Sequence, residues 1–123
     1  AMAATTLLFT AGMVTAAEGE LAGSWRVDVT CRNYKQVNNV TIGRADMSKV
    51  LGTTNVGDGF GKIVAGQFDG KNFVFLNEYS FEGRTYTETW RGSLSNGGRS
   101  LRGKFETTHS AAGGCTFRGR SNS

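Results

Sequence analysis

The sequence predicts an all-β protein, an eight-stranded antiparallel up-and-down barrel, from three observations. Its 123 residues include 18 glycines, no proline and abundant Thr, Val and Phe, a composition typical of short strands joined by glycine turns. Between Gly61 and Phe105, four apolar-rich runs are separated by three turn signals. The first and last predicted strands each carry a cysteine where a closing bridge would lie. A chain of this length forms one domain.

Residues 1–17 are expected to lie outside the barrel, which we assign to residues 18–123. Residues 2–17 form an uncharged apolar run that ends in small residues and is similar to the later part of a secretory signal, without its basic start. The run is short for a membrane span, so no span is expected in the mature protein. Two interpretations stay open: a signal-peptide remnant, or an apolar segment that packs on a second copy of the chain and forms a homo-oligomer.

Alternation of apolar and polar residues defines the strands in order. The first strand is the clearest, because Trp25, Val27, Val29 and Cys31 alternate with polar residues. The predicted strands cover residues 24–32, 37–43, 47–54, 61–68, 71–81, 84–94, 99–108 and 115–120. The glycine-rich residues 55–61 are a predicted loop, and they lack the lysine and the following helix that a phosphate-binding loop needs.

Closure of the barrel makes a prediction about the two cysteines. An even number of meandering strands leaves the first and last strands antiparallel, so that they can pair. With Cys31 opposite Cys115, each inward residue of the first strand meets an inward residue of the last: Val29 meets Phe117, Val27 meets Gly119 and Trp25 meets Ser121. We therefore predict a disulfide, provided that the protein is exported, with reduced buried thiols as the alternative. The chain-entropy treatment gives a loop of this size roughly 4 to 5 kcal/mol of stabilisation before any strain is subtracted.

Three turns predict the register of the central strands. Asp69-Gly70 and Glu82-Gly83 are taken as two-residue turns, and a longer turn lies around residues 96–98. The first turn predicts the pairs Phe68–Lys71, Lys62–Asn77 and Phe60–Tyr79. The second and third turns predict the pairs Phe81–Arg84, Tyr79–Tyr86, Asn77–Glu88, Phe75–Trp90, Leu94–Leu101, Trp90–Phe105 and Glu88–Thr107.

These pairs place polar and aromatic side chains on the same face of the sheet. The polar ones form a row of Lys62, Asn77, Glu88 and Thr107, and the aromatic ones also include Phe60 and Phe73. Charged groups among aromatic rings inside a small barrel are costly unless they are paired or hydrated. We therefore predict an interior cavity that binds a small, partly apolar molecule. The predicted ligand-binding residues are Lys62, Phe75, Asn77, Tyr79, Tyr86, Glu88, Trp90 and Phe105. The alternatives are an ion pair between Lys62 and Glu88, a hydrated barrel mouth, or a one-residue slip that turns the row outward.

Charge is unevenly distributed in a chain whose formal net charge is +4. Residues 91–123 hold six basic groups and one acidic group. Such a segment could attract an acidic surface or nucleic acid. Its arginines lie mostly at outward strand positions without interleaved aromatic residues, so we expect a solvated basic face and no nucleic-acid partner.

The sequence contains no signal for catalysis, a metal or a cofactor. The lone His109 has no partner that the sequence can place beside it, and we expect it to be exposed. Cys31 and Cys115 have no companion at metal-ligand spacing. We therefore expect no catalytic residue, no metal and no cofactor. If the protein were a barrel enzyme such as an isomerase, Glu88 and Tyr86 could perform general acid–base chemistry.

Three short motifs carry a family resemblance. Gly23-Ser24-Trp25 resembles the G-x-W start of calycin-type barrels, the lipocalins and avidins. Thr89-Trp90-Arg91-Gly92 is similar to the T-W-x-G strand of avidin and streptavidin, and Gly66-Gln67-Phe68 to their G-x-Y strand end. The resemblance implies a barrel whose Trp90 lines a cavity. It argues against biotin as the ligand, because Val27 and Cys31 stand where avidins carry polar biotin-binding residues.

Two functions follow as expectations. The first is a non-catalytic, exported barrel, periplasmic or secreted, that binds a small and partly apolar molecule in its interior. The alternative is a secreted protein-binding or protease-inhibitor-type barrel with a filled core, because small inhibitors of the same barrel type also begin near a G-x-W and act through their N-terminal segment and loops.

Overall fold

The computed structural model describes residues 20–56, 59–95, 97–108 and 114–122 as a closed β-barrel. Each strand pairs antiparallel with the next, and the last pairs with the first. The strands are β1 Gly23–Cys31, β2 Lys35–Ala45, β3 Val50–Val56, β4 Gly59–Phe68, β5 Asn72–Phe81, β6 Arg84–Leu94, β7 Ser100–Thr107 and β8 Gly114–Ser121. The predicted fold class is confirmed. Residues 1–17, with their predicted oligomer contact, and His109 lie outside the described residues.

β1 and β8 close the barrel in the predicted register. Cys31 stands opposite Cys115, and Trp25 stands opposite Ser121. The two cysteines form a disulfide with a Cα–Cα distance of 4.2 Å. Along β1 the burial alternates, with Trp25, Val27 and the cysteine inside and their neighbours exposed. The period-two pattern of the first strand therefore defines both the inside of the barrel and the position of its covalent bridge.

The strand β3 begins three residues later than predicted, because Asp46 forms a tight turn. Its Oδ1 accepts hydrogen bonds from the Ser48 backbone and hydroxyl at 2.9 and 2.8 Å and from the Lys49 backbone at 3.0 Å. Hydrogen bonds from the Arg44 side chain and then from Ser48 lower the pKa of this exposed carboxyl. Met47 is consequently an exposed turn residue. The loop predicted over 55–61 is shorter, since β3 reaches Val56 and β4 starts at Gly59.

The turn between β4 and β5 differs from the predicted one and changes the register. Asp69 Oδ1 accepts hydrogen bonds from the backbone N–H groups of Lys71 and Asn72 at 2.9 and 2.6 Å, and Asp69 N–H donates to Asn72 O. This side-chain turn centres the hairpin on Gly70-Lys71 rather than on Asp69-Gly70. Phe68 therefore pairs with Phe73, not with Lys71.

The predicted inward positions of Lys62 and Phe60 are wrong because of a β-bulge within β4, since the displaced turn alone keeps Phe68 and Gly66 on the predicted face. At this bulge the register shifts by one residue between Ile63 and Ala65, so that Ile63 and not Lys62 pairs with Asn77. Lys62 and Phe60 are exposed on the outer face, while Gly61 and Ile63 are buried. The alternative of an ion pair between Lys62 and Glu88 is thereby excluded in this structure.

The second and third turns give the predicted registers. Glu82 and Gly83 have φ angles of +52° and +77°, consistent with the two-residue turn that right-handed strand twist favours. Asn77 consequently pairs with Glu88, and Phe75 with Trp90. Trp90 in turn pairs with Phe105.

The two ends of the barrel differ in what they bury. Odd-numbered strands begin and even-numbered strands end at one end, which we call the apolar end; its buried residues are Leu21, Trp25, Val50, Phe68, Leu94 and Leu101. Trp25 Nε1 donates to Leu21 O at 2.8 Å, which holds the preceding chain across this end. The opposite end, which we call the tyrosine end, carries Tyr34, Tyr79 and Tyr86. No helix among the described residues is long and apolar enough to cross a membrane.

Candidate functional site

The polar residues inside the barrel lie in a layer between aromatic residues and the tyrosine end. Inward positions two residues apart run Phe75, Asn77, Tyr79 along β5. On β6 they run from Trp90 through Glu88 to Tyr86, as read toward the tyrosine end. The side chains that are buried and polar are Asn38, Thr54, Asn77 and Glu88. We call these four residues the polar layer.

Hydrogen bonds connect three members of the polar layer to the aromatic residues. Thr54 Oγ1 donates to Asn77 Oδ1 at 3.1 Å, and Asn77 Nδ2 donates to Glu88 Oε1 at 2.9 Å. Trp90 Nε1 donates to the same Glu88 oxygen at 2.9 Å. The carboxyl group of Glu88 therefore orients both the Asn77 amide and the Trp90 ring, and buried polar groups satisfied in this way rigidify their surroundings.

Gly61 makes room for this network. A Cβ atom at this position would overlap Thr54 Oγ1 and Asn77 Oδ1. Gly59 performs the same role one step nearer the tyrosine end, where an added Cβ would overlap the Tyr79 hydroxyl. The two inward glycines of β4 thus allow side chains of β3 and β5 to approach its backbone closely.

The tyrosine end is lined by rings that are close to Glu88. The Tyr79 and Tyr86 ring centroids are 6.4 Å apart, and both residues are half-buried, whereas Tyr34 is exposed. Burial, followed by the charge of Glu88, raises the pKa of Tyr34 and of Tyr79. The phenolic groups of Tyr34 and Tyr79 therefore remain protonated as hydrogen-bond donors at neutral pH.

Asn38 contains a buried acceptor that lacks a partner. Its side chain points inward from β2, opposite Val27, and is 3 % exposed. Its Oδ1 accepts no hydrogen bond from the described residues. A buried unsatisfied polar group costs about 1–3 kcal/mol, so this carbonyl oxygen is a position where a donor from outside the chain would be stabilising.

Below the polar layer, aromatic side chains fill the barrel. The Trp90 ring centroid lies 4.7 Å from those of Phe105 and Phe117 and 5.4 Å from that of Phe75. These four residues are at most 2 % exposed. They contact one another, so a ligand would reach the polar layer from the tyrosine end.

The structure thus brings together most of the predicted site residues and separates one. Asn77 and Glu88 lie in the polar layer, with Tyr79 and Tyr86 above it and the aromatic stack below. Lys62 lies on the outer face. Sequence reasoning missed Asn38, Thr54 and Tyr34.

A signal for Asn38 was present in the sequence, because it alternates in phase with the apolar Val40 and Ile42. Tyr34 lies next to a turn and Thr54 in a weakly patterned strand, so neither had a comparable signal. Within the described ranges, no three His, Cys, Asp or Glu side chains come together as metal ligands.

Comparisons with known proteins support the fold alone. No protein-family model matches this chain, and no curated protein matches it. A similar solved structure is that of a redesigned β-barrel, with a TM-score of 0.65, 13% sequence identity and coverage of 84% of this chain and 92% of that one. At this identity the similarity extends to the eight-stranded barrel and not to a function. The resemblance to calycins and avidins has no support from a family match.

Proposed function

We propose that this protein is a non-catalytic binding module that holds a small molecule at the tyrosine end of its barrel. The ligand would present an N–H or O–H donor to the polar layer and a flat, partly apolar body to the tyrosine rings. Such a division between a few convergent polar groups and aromatic walls is common in small-molecule sites. The aromatic stack below would form the floor of the site.

The single observation that carries the proposal is the unpartnered Oδ1 of Asn38. Buried polar atoms are nearly always hydrogen-bonded in folded proteins, so an exception requires an explanation. A donor from a bound molecule, or a water that such a molecule displaces, would satisfy this oxygen. The half-buried tyrosines support the proposal, because Tyr combines a large contact area with a hydrogen-bonding hydroxyl.

The Cys31–Cys115 disulfide supports an exported location as part of the same proposal. Disulfides persist mainly in oxidising compartments, such as the periplasm or the extracellular space. The ligand would then be a molecule found outside the cytoplasm.

A second candidate, a protein-binding or inhibitor-type barrel, is favoured by the filled aromatic stack. If the barrel serves only as a scaffold, then the loops and the N-terminal segment would make the functional contacts. Asn38 Oδ1 would then be satisfied by a water molecule alone.

Two matched probes distinguish these candidates. Phenol presents one hydroxyl donor on an aromatic ring, and toluene has a similar shape without the donor. We expect phenol to shift the NMR signals of Tyr79, Tyr86 and the Trp90 indole N–H, with binding about fivefold tighter than toluene for a hydrogen bond of about 1 kcal/mol. The indole signal of Trp25 at the apolar end should not move.

The variant Asn38→Leu should remove the preference for phenol, whereas Asn39→Leu at the next, exposed position of β2 should retain it. If neither probe moves the tyrosine signals, then the scaffold candidate is preferred. If phenol keeps its preference in Asn38→Leu, then Asn38 has no role in recognition.

A further inference from the structure

The outer surface of β6, β7, β8 and β1 carries a group of exposed basic side chains. We call them the basic face; they are Arg26, Arg91, Arg102, Lys104, Arg118 and Arg120. Acidic groups on the outside of these strands are Asp28, opposite Arg118, and Glu106. The face therefore has an excess of positive charge of +4, from six basic and two acidic groups.

The strand registers place like charges directly opposite one another. Arg91 pairs with Lys104, and Arg102 pairs with Arg118. Arg120 in turn stands opposite Arg26. Like charges at directly opposed positions of a sheet destabilise it.

No member of the basic face forms an ion pair within the part of the chain that the structure describes. The ion pair found there joins Arg44 to Asp46 at 2.8 Å, in the turn after β2. Asp28, opposite Arg118, is the only acidic residue of the described chain that stands directly opposite a member of the basic face, so most of the repulsion on β6–β8 is not relieved from within. A polyanion from outside would relieve it.

The basic face is also hollowed rather than flat. A hollow of about 700 Å³ has four basic residues, one acidic residue, three serines and two leucines in its lining; the charged ones are Lys71, Arg102, Arg118, Arg120 and Asp28. A second hollow, of about 510 Å³, shares Arg102 and Arg118 and adds Lys104. Guanidinium groups beside hydroxyl groups suit the oxygens of sulfate and carboxylate groups.

We propose that the basic face binds an anionic polysaccharide, a sugar chain that carries sulfate or carboxylate groups. The outward positions of these strands carry no aromatic ring within the described residues, so the stacking platform for single-stranded nucleic acid is missing. The exposed large apolar residues of the described chain lie elsewhere, on β2, β4, β5 and nearby turns, so this face has no apolar wedge for a lipid surface. The disulfide fits a compartment where polysaccharides are the abundant polyanions.

Heparin affinity with the full-length, disulfide-bonded chain tests this proposal. The test variant is Arg102→Glu with Arg118→Glu, which reverses the charge of two arginines that stand opposite each other at the centre of the face. The matched control is Lys35→Glu with Lys62→Glu, which changes two exposed lysines on β2 and β4 and alters the net charge by the same amount. We expect the test variant to lose more than tenfold in heparin affinity and the control to stay within about twofold, because a localised patch and not the net charge binds the polymer.

Thermal unfolding of both variants verifies that they are folded. Arg102→Glu with Arg118→Glu is expected to melt slightly lower than the parent, because like charges still stand opposite each other and one of the new carboxylates faces Asp28. An equal loss in the two variants would overturn the proposal, since net charge alone would then explain binding. Tighter binding to a double-stranded DNA oligonucleotide, or to vesicles of phosphatidylglycerol, than to heparin would overturn it in favour of that partner.

Discussion

The two ends of the barrel are built on the same alternation of inward and outward residues, yet they bury different chemistry. At the apolar end, Trp25 is 2 % exposed and its indole N–H is bonded to Leu21 O at 2.8 Å. At the tyrosine end, the rings are half-buried or exposed and the layer beneath them holds an acceptor with no partner among the described residues. The difference indicates that side-chain packing contributes more to stability at the apolar end, while the tyrosine end keeps polar groups at a cost in stability that the proposed binding role would explain.

Truncation of a large ring at each end should give the largest difference. Trp25→Ala is expected to lower the free energy of unfolding by about 3–5 kcal/mol, because it leaves a cavity in the core. Tyr34→Ala should lower it by less than about 1 kcal/mol, because Tyr34 is 40% exposed. Urea unfolding measures both. Equal losses would mean that the two ends contribute equally to stability.

The disulfide is the covalent constraint at the tyrosine end, and its removal should have the next largest effect. The double variant Cys31→Ala with Cys115→Ala should lose about 2–4 kcal/mol, since the bridge joins residues 84 positions apart and limits the unfolded chain. Thermal melting with and without a reductant provides the control. The reductant should lower the melting temperature of the parent to that of the variant and leave the variant unchanged; a parent indifferent to reduction would contradict the prediction.

A methyl group placed under the polar layer should disturb it selectively. Gly61→Ala is expected to cost roughly 1–3 kcal/mol, because the new Cβ would overlap Thr54 Oγ1 and Asn77 Oδ1. Gly43→Ala is the matched control; nothing lies within 4 Å of its added Cβ, so its unfolding free energy should change by less than about 0.5 kcal/mol. The NMR signal of the Trp90 indole N–H should move in Gly61→Ala alone. An unchanged Trp90 indole signal in Gly61→Ala would show that Gly61 does not affect the hydrogen bonds of the polar layer.

The smallest expected effect is a loss of stability at high pH. The pKa values of Tyr34 and Tyr79 are raised in the folded protein above the ordinary tyrosine value of 10.0, mainly by burial and then by the charge of Glu88. The folded state therefore binds these protons more tightly than the unfolded state does. This contribution is fully present below pH 10 and is lost as the pH rises through the raised values.

Tyrosinate absorbance and chemical unfolding at increasing pH measure this effect. Glu88→Gln should shift the tyrosine titrations to lower pH, because it removes one cause of the raised pKa values while it keeps an acceptor for Asn77 and Trp90. An unchanged tyrosine titration in Glu88→Gln would show that the carboxylate exerts no field at the tyrosine end.

One turn and one β-bulge decided which part of the site could be predicted. Glu82-Gly83 has the backbone angles of a two-residue turn, and every predicted pair across β5 and β6 is confirmed. Asp69-Gly70 is an equally strong sequence signal for a two-residue turn. The Asp69 carboxylate instead accepts hydrogen bonds from the next backbone N–H groups and moves the turn by one residue, which changes the pairing by two residues and keeps Phe68 inward. The bulge between Ile63 and Ala65, which no turn signal indicates, is what turns Lys62 outward.

The sequence by itself determined the barrel, its closure by β1 and β8 and the disulfide, because strand alternation has a period of two and cysteines in phase with it can face only one way. Only the tertiary structure decided that Lys62 points outward and that Asn38 and Thr54 join Asn77 and Glu88 inside. The physical reason is that a bulge of one residue within a strand reverses the face of every side chain beyond it, and no turn signal shows where such a bulge forms. Contacts between distant strands, in turn, depend on the registers of all the strands between them.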